Sequence, residues 1–594
     1  MEPVSHFSSN IASQFILFTH IINPGLHGLA MAKTFLQVHP NGKLLVVDQA
    51  KSVGGSWAKE RLYPGLKTNN VFGSYEFGDF PMVPERYGAT SQGHIPGEVV
   101  HAYFCDVAAY YGIDSRLRLQ TKVKSATLQE DGRWRVELES ISGPQQRVST
   151  LVASRIVVAT GLTSEPYIPT FPGQEDFGGL ILHSKQLKQE ADNLRSRRNV
   201  VVLGGNKSAW DVCYAAARSG SQVHMVMRPT GGGPSYLWPR EFSWGPFKLS
   251  LAKLSATRLF IPFDPTPYGK SGPFAFLRDF IHRTPFGQRV SQFFWNRLDA
   301  RIKGLNGYDT HPEMRKLEPW TTPFWMGNSL SIHNYDTPWF DLVREGKVKI
   351  HVANLASLSK GRVHLSTGDE LDADALVCCT GWNTVPTIQF DTSCATQEAP
   401  FETRMASPGD IVAAEKMINS DINYLSTLPR RTANAPEIKC PTPETSFSPY
   451  QLYRMVVPSQ AMFLEKRNLA FIGLQNSIHT AIVAQAQALW ITAFFDDRIR
   501  HLSGPDIDTK AVESSSLLET SYGRLRRPKE CGGAAGRYPD LVFDSLPYVD
   551  TLLRDLGLSP SRKRGWFEEI FEVYLPRDYA GITEEWRENN FKYP

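Results

Sequence analysis

The stretch VVVLGGNKSAWD, residues 200–211, decides the fold of this chain. Its β-rich apolar run followed by glycines is typical of a buried parallel strand that turns tightly into a helix. Gly204, Asn206 and Ala209 stand at the three glycine positions of a dinucleotide fingerprint, and Ala is an accepted variant at the third. Ser208 and Lys207 are both expected to add hydrogen-bond donors for the phosphates. The stretch therefore predicts a nucleotide whose pyrophosphate lies on a helix N-terminus.

A second, altered fingerprint precedes it in the stretch IINPGLHGLA, residues 21–30. Gly25 and Gly28 hold the second and third glycine positions, whereas Asn23 replaces the first glycine and Pro24 follows it. Asn tolerates a left-handed backbone better than most residues, so it is a mild replacement. Pro24 is the harsher change, because it lacks an N–H and biases Asn23 toward an extended conformation.

The residue that ends the following strand differs between the two copies. Asp48 comes about 20 residues after Gly28, where a carboxylate suits a ribose 2′-hydroxyl. Arg228 occupies the matching place after Ala209, where a guanidinium suits a 2′-phosphate. The first site is therefore predicted to bind FAD and the second NADPH. An ordinary surface arginine is the alternative for Arg228.

The order of these patterns predicts an α/β fold with two dinucleotide-binding, Rossmann-like domains. A buried strand ending in a turn at 155–161 has a counterpart at 375–381, so the NADPH domain is predicted to be inserted in the FAD domain. The predicted ranges are 1–185 and 372–500 for the FAD-binding domain, 186–371 for the NADPH-binding domain, and 501–594 for a C-terminal extension that begins with a loose linker at 500–540.

Residues 229–330 depart from the nucleotide-binding pattern. They are rich in Pro, Gly, Phe and Trp, and FAFLRDFIHR at 274–283 indicates a partly amphipathic, aromatic helix. We interpret this range as an insertion within the NADPH domain. Its composition favours a cap over the cleft, and a lipid-facing surface in peripheral contact with a membrane is the alternative.

Composition excludes several classes of protein. The chain has 594 residues, ordinary hydrophobic content and a net charge of only +4, which gives no argument for nucleic acid. The short basic runs at 524–527 and 562–564 are interpreted as solvated surface. The seven cysteines are odd in number and form no C-x-x-C, which predicts reduced thiols in a cytoplasmic protein without a metal site. No apolar run is long enough for a transmembrane helix.

Several further motifs make the chain resemble the flavin-containing monooxygenase family, especially its fungal secondary-metabolism branch. They are GGSW at 54–57, FGGLILH at 177–183, RLYPGLKTNN at 61–70, and the paired turns Thr160-Gly161 and Thr380-Gly381. One departure is Leu187, where the family motif around 177–183 usually ends in an aromatic. The resemblance implies that Gly55, Trp57 and both Thr-Gly turns contribute to cofactor binding. A structural role is the alternative for Trp57, and His183 is expected to support the domain junction.

The resemblance also implies the chemistry. NADPH would reduce FAD, and a C4a-hydroperoxyflavin would transfer one oxygen of O2 to a small hydrophobic substrate, in polyketide-type secondary metabolism. Asn69 matches the family asparagine near the flavin, where an amide can donate to the peroxide; a plain turn residue is the alternative. No second catalytic pattern competes.

Three alternatives stay open. Baeyer–Villiger insertion is disfavoured, because 61–70 lacks the Arg/Asp pair of those enzymes. A pseudoenzyme with impaired FAD binding would explain the pair Asn23-Pro24. A misassigned exon start would explain why the stretch before Leu26 fits the family poorly.

Overall fold

A computed structural model describes residues 19–90, 93–142, 147–270, 274–327, 329–384, 387–392, 407–437, 451–504, 506–533 and 538–591. Two of the seven cysteines, Cys394 and Cys440, lie outside these ranges. The α-helices are α1 Leu26–Val38, α2 Gly97–Tyr110, α3 Ala191–Arg195, α4 Lys207–Arg218, α5 Leu251–Ala256, α6 Ala275–Arg283, α7 Pro285–Asn306, α8 Pro312–Arg315, α9 Trp339–Arg344, α10 Pro408–Asp421, α11 Ala461–Lys466, α12 Thr480–Phe495, α13 Thr509–Arg526, α14 Ser545–Asp555, α15 Trp566–Phe571 and α16 Ile582–Phe591. Within the described ranges, no helix is long and apolar enough to cross a membrane.

The first nucleotide unit is a five-stranded parallel sheet. In spatial order its strands are Leu469–Phe471, Arg155–Val158, Thr19–Ile22, Leu44–Val47 and Leu117–Arg118. The strand Thr19–Ile22 lies at the centre and feeds the glycine turn that starts α1. Its inner position explains why Ile21 and Ile22, which lead into that turn, are buried.

The second nucleotide unit is also a five-stranded parallel sheet. Its strands, in order, are Leu180–His183, Ala375–Cys378, Asn199–Leu203, Gln222–Met227 and Val348–Val352. The first sheet takes strands from both sides of this range, which confirms the predicted fold class with one domain inserted in the other. The strands Leu180–His183 and Ala375–Cys378 both pair in the second sheet, although they lie outside the range 186–371 predicted for the NADPH-binding domain.

The other strands form smaller sheets around these two units. A four-stranded sheet joins Gln389–Thr392, Thr121–Leu128, Trp134–Ser140 and Arg147–Ala153, and Trp134–Ser140 pairs antiparallel with both of its neighbours. The remaining strands are Lys67–Val71, His94–Pro96, Glu165–Pro166, Tyr236–Trp238, Phe242–Trp244, Phe247–Leu249, Leu330–Ile332, Leu355–Ser359, Arg362–Leu365, Glu370–Asp372, Trp382–Asn383, Leu452–Tyr453, Val457–Pro458, Asn476–Ser477 and Asp540–Leu541.

Helix α12 is the centre of the largest core. It is mostly apolar and buried on all sides, and it packs against α1 and α14. Tyr548 and Leu552 of α14 and Trp586 of α16 are buried in the same core. The C-terminal extension is therefore continuous with the FAD domain.

The predicted loose linker at 500–540 is wrong. It contains α13, an 18-residue helix that begins at the Asp508 cap, whose side chain accepts from the Ala511 N–H at 3.0 Å. The Ser-rich sequence concealed this helix because Ser has only modest helix propensity, whereas packing in the tertiary structure decides the outcome.

The prediction that both basic runs are solvated surface is also wrong. Arg526 and Arg527 are each 1% exposed and meet Asp264 of the insertion. In the second run, Lys563 pairs with Asp578 at 2.8 Å while it is largely buried. The first run therefore ties the C-terminal extension to the insertion, and the second run joins residues within the extension.

Candidate functional site

Asn23 takes the backbone conformation that the missing glycine would supply. Its φ is +87°, in the left-handed region where Asn is one of the few tolerated side chains. Its N–H donates to the Val47 carbonyl at 2.8 Å, and its Oδ1 accepts from the Gly25 N–H at 2.9 Å. The Pro24 carbonyl accepts from the Gly54 N–H at 3.1 Å. The altered fingerprint therefore keeps its turn, although the side chain of Asn23 uses the Gly25 donor.

The glycines of this turn are required by close contacts. A Cβ on Gly28 would lie 1.9 Å from the Asn23 carbonyl oxygen. A Cβ on Gly55 would lie 3.0 Å from the Gly25 Cα, at a φ of +60°. The backbones of the strand-to-helix turn and of the 54–57 segment thus lie so close together that there is little room for a side chain at Gly55.

Two buried oxygens beside this turn lack protein partners. Asp48 Oδ1 accepts from the Ala50 N–H at 3.0 Å, whereas Asp48 Oδ2 and Thr160 Oγ1 have no hydrogen-bond partner. Both residues line a small cavity of about 50 Å³ together with Asn23 and Gly161. Burial raises the pKa of Asp48 to about 6. These atoms fit the hydroxyls of a ribose, because a buried carboxylate oxygen without a donor is costly unless a ligand supplies one.

Trp57 does not line this small cavity. Its indole Nε1 donates to the Tyr75 hydroxyl at 2.9 Å, and the two rings meet edge to face. This contact favours the structural alternative for Trp57 over a contact with the isoalloxazine.

The second fingerprint opens onto a large cavity of about 1060 Å³. Gly204 has a φ of +145°, and a Cβ there would lie 2.5 Å from the Cys379 carbonyl oxygen. Asn206 is the N-cap residue of α4, and its side chain makes no capping hydrogen bond. Ser208 lines the cavity, and Ala209 is completely buried beneath it. The helix N-terminus therefore presents its free N–H groups to the cavity.

Lys207 is not a free phosphate donor, contrary to the expectation. Its ammonium pairs with Asp211 one turn along α4 and lies over the Tyr335 ring. Arg228 instead is exposed at the end of its strand and lines the cavity. Among the described residues, no carboxylate forms an ion pair with it. Thr380 and Gly381, with a φ of +91° at the glycine, line the same cavity.

Asn69 lies in the wall of this large cavity, on the strand Lys67–Val71. Its Oδ1 is buried without a hydrogen-bond partner, whereas the neighbouring Asn70 amide donates to the Ile478 carbonyl at 2.9 Å. Asn69 is therefore free to bind a molecule in the cavity, and Asn70 holds the strand in place.

Comparisons with known proteins agree with this geometry. A pyridine nucleotide-disulphide oxidoreductase family model matches residues 21–236. The FAD-dependent monooxygenase rstn6 of Aspergillus nomiae is 33% identical, with 95% of this chain and 97% of the relative covered. The FAD-dependent monooxygenase resA of Aspergillus sclerotiorum is 31% identical, with 96% and 98% covered. The chain belongs to the FAD-dependent monooxygenases.

Solved structures share the fold of this family member. The closed form of cyclohexanone monooxygenase has a TM-score of 0.57 at 16% identity, covering 91% of this chain and 97% of that one. Polycyclic ketone monooxygenase of Thermothelomyces thermophila has a TM-score of 0.56 at 15% identity, covering 93% and 89%. The chain is thus an FAD-dependent oxidoreductase with the two-domain fold of flavin monooxygenases.

A hydrogen-bond network joins the two nucleotide units of this monooxygenase. The Tyr63 hydroxyl of the first unit donates to Asp211 Oδ2 at 2.8 Å, and the Tyr335 hydroxyl donates to Asp211 Oδ1 at 2.9 Å. Lys67 pairs with Asp336 at 2.5 Å beside it. These contacts fix the strand that carries Asn69 against the fingerprint helix α4.

His183 lies at the junction, as expected. It is completely buried, its Nε2 lies 3.0 Å from the Gly381 carbonyl, and its ring meets Trp382 edge to face. It therefore supports the Thr380-Gly381 turn, and it is not among the residues that line the large cavity.

Two cavity residues carried no sequence signal. Neither ring nitrogen of His94 has a hydrogen bond of normal geometry, and burial, with the nearby charge of Arg240, lowers its pKa to about 4. Arg240 comes from the insertion and lines the same cavity. The strand pairing Val71 to His94 brings the imidazole beside the Asn69 strand, a contact that no local motif encodes.

The C-terminal extension completes the cavity wall. Val573, Tyr574, Leu575 and Pro576 line it, together with Leu251 of α5. Tyr574 lies under the guanidinium of Arg258, which is also held by Asp550 at 2.7 Å. Insertion and extension thus form the wall together, as a cap does.

Restoring glycine at the altered position should strengthen FAD binding. Asn23→Gly frees the Gly25 N–H for pyrophosphate, and one hydrogen bond corresponds to about 3–10-fold in Kd. Asn23→Ala should weaken binding, because an Ala at a φ of +87° is strained and offers no acceptor. The measurement is titration of apoprotein with FAD, followed by flavin fluorescence. Weaker binding by Asn23→Gly would show that the Asn side chain itself serves the cofactor.

Proposed function

We propose that this chain is an NADPH-dependent monooxygenase that transfers one oxygen atom from O2 to a small hydrophobic substrate. In balance, the substrate C–H or heteroatom gains one oxygen, NADPH and a proton supply the electrons and hydrogen, and the second oxygen leaves as water. One observation carries the proposal. The large cavity places the Asn69 strand, the α4 N-terminus and Arg228 in one continuous space.

The residues of the small and the large cavity divide the work. When bound, FAD carries electrons from NADPH to O2. Asp48 and Thr160 would hold its ribose end, and Asn69 would offer its side-chain amide near the reacting end. The hydrogen bond from Tyr63 to Asp211 holds the segment that leads into the Asn69 strand against α4. It would thereby fix the position of one bound nucleotide relative to the other. The C-terminal wall keeps water out.

The substrate class and setting are part of the same proposal. The apolar side chains Leu251, Leu330 and Ile332 line the cavity, which favours a hydrophobic molecule. We propose a cytoplasmic enzyme of secondary metabolism, acting on a polyketide-type intermediate. The relatives rstn6 and resA, which are of similar length, are FAD-dependent monooxygenases of Aspergillus species.

Baeyer–Villiger insertion is a second candidate, and Arg240 favours it. The 61–70 run lacks a cation-acid pair, but the insertion brings Arg240 and Glu241 to the cavity. Mass spectrometry and NMR of the product from a ketone and from a sulfide decide between the two. A lactone or ester supports insertion, whereas only a sulfoxide or alcohol supports the first proposal.

The visible spectrum of the purified protein tests the enzyme against the pseudoenzyme alternative. Absorption bands at about 370 and 450 nm that bleach with NADPH support the proposal, since they belong to the flavin. Colourless protein that FAD does not reconstitute would overturn it.

Arg228→Ala should discriminate between the two nicotinamides. Loss of a charged contact to the 2′-phosphate should raise the Kd for NADPH by about 10–100-fold and leave that for NADH within about twofold. The measurement is anaerobic flavin bleaching at varied nucleotide concentration. Arg218→Ala, at the exposed far end of α4, is the matched control. Equal losses for both nucleotides would contradict the 2′-phosphate assignment.

A further inference from the structure

The hairpin of α6 and α7 exposes large aromatic side chains. Phe276 is 83% exposed on α6, and Phe286 and Phe293 on α7 are 66% and 68% exposed. The rings of Phe280 and Phe286 lie 6.2 Å apart across the turn, so the two helices share one patch. Contiguous apolar patches on a soluble protein mark a surface that binds something.

The exposed residues of α7 form one stripe. Phe286, Val290 and Phe293 follow the helical spacing i, i+4, i+7, which places them on a single face. The opposite face carries Trp295 and Leu298, which are buried in the core of the insertion. One apolar face of α7 therefore packs in the core of the insertion, and a second apolar face is exposed on the surface.

The same stripe is positively charged. Arg289 and Arg297 are exposed beside Phe293, and neither forms an ion pair with any residue that the structure describes. The sole acidic residue in the α7 sequence, Asp299, faces inward, where it accepts from the Tyr236 hydroxyl at 2.7 Å and pairs with Lys303. Aromatics interleaved with unpaired arginines match the boundary between lipid headgroups and acyl chains.

We propose that the α6–α7 face, defined as Phe276, Phe280, Phe286, Arg289, Val290, Phe293 and Arg297, docks on an anionic lipid bilayer. The phenylalanines enter the interface while the arginines contact lipid phosphates. α7 lies flat on the surface, since its other face is fixed in the protein core. This inference concerns where the protein works and does not depend on the reaction proposed above.

Vesicle flotation of the full-length holoprotein tests the proposal. Phosphatidylcholine vesicles with about 30 mol% phosphatidylserine should bind the protein, and pure phosphatidylcholine should bind it at least about 10-fold more weakly. The double variant R289Q/R297Q should lose about 30-fold in affinity, at about 1 kcal/mol for each arginine. The double variant F286S/F293S should lose binding to both vesicles.

Controls separate lipid docking from other outcomes. V148S/V152S removes two apolar residues that are 55% and 42% exposed on another sheet, and it should bind like the wild type. Each variant should keep its FAD content and thermal midpoint, which shows that the fold is intact. Failure of wild-type protein to bind the anionic vesicles, or unchanged binding by F286S/F293S, would overturn the proposal. A dimer in light scattering that F286S/F293S dissociates, without vesicle binding, would assign the face to self-association instead.

Discussion

Asp264→Asn is expected to lower the thermal midpoint of the protein by roughly 5 °C or more. Asp264 is 1% exposed, and its carboxylate accepts from Arg526 at 2.6 Å and lies 3.6 Å from Arg527. Removing its charge would leave two buried guanidiniums with far less negative charge beside them. Breaking a buried ion pair in this way lowers the free energy of unfolding by about 3–5 kcal/mol. The measurement is scanning calorimetry or circular dichroism of the holoprotein.

The acid dependence of this cluster has a definite sign. The arginines hold the pKa of Asp264 below its ordinary value despite burial. The stabilisation is therefore present at neutral pH, and it is lost only as the pH falls below about 4, the value in the unfolded chain.

Two further variants test whether the effect of Asp264→Asn comes from the buried charges. Glu370→Gln breaks the exposed ion pair with Arg362, and it should lower the free energy of unfolding by less than about 1 kcal/mol. The double variant D264N/R526M should recover part of the loss, because one unpaired charge is removed. A thermal midpoint unchanged by Asp264→Asn would contradict the proposed role of the cluster.

Gly28→Ala is expected to weaken FAD binding by up to about 100-fold. The new Cβ would lie 1.9 Å from the Asn23 carbonyl oxygen, so α1 or the turn must move. Such overpacking costs about 1–3 kcal/mol, and the turn that moves is the one that faces the pyrophosphate. The ratio of flavin absorbance to protein absorbance after dialysis, followed by FAD titration, measures the effect.

Gly304→Ala is the matched control for this change. Gly304 lies in α7 with open space around its Cα, so the added methyl meets nothing. It should leave FAD content unchanged. If Gly28→Ala retained wild-type affinity, the first fingerprint would not be the FAD site.

Much of the fold could be predicted because parallel strands and glycine turns are local features. The runs at 21–30 and 200–211 each encode a strand, a turn and a helix start within a dozen residues. Asn23 was also open to prediction, since a short polar side chain that accepts from its neighbour is a known way into the left-handed region.

The rest depended on contacts between distant parts of the chain. Arg526 and Arg527 look like a solvated charge run, because their partner Asp264 belongs to the insertion far upstream. His94 and Arg240 carry no motif, and only the folded cavity brings them together. Strand Ala375–Cys378 looked like the return of the first domain, because strand sequence does not tell which sheet the strand will join.

The wall made by Val573, Tyr574, Leu575 and Pro576 has a practical meaning for engineering. These four consecutive residues lie outside both nucleotide fingerprints, yet they face the same space as Asn69. Exchanging this short segment between relatives should change the substrate preference and leave the binding of FAD and NADPH unchanged. Deleting it should convert the enzyme toward a wasteful NADPH oxidase, because water would enter the cavity.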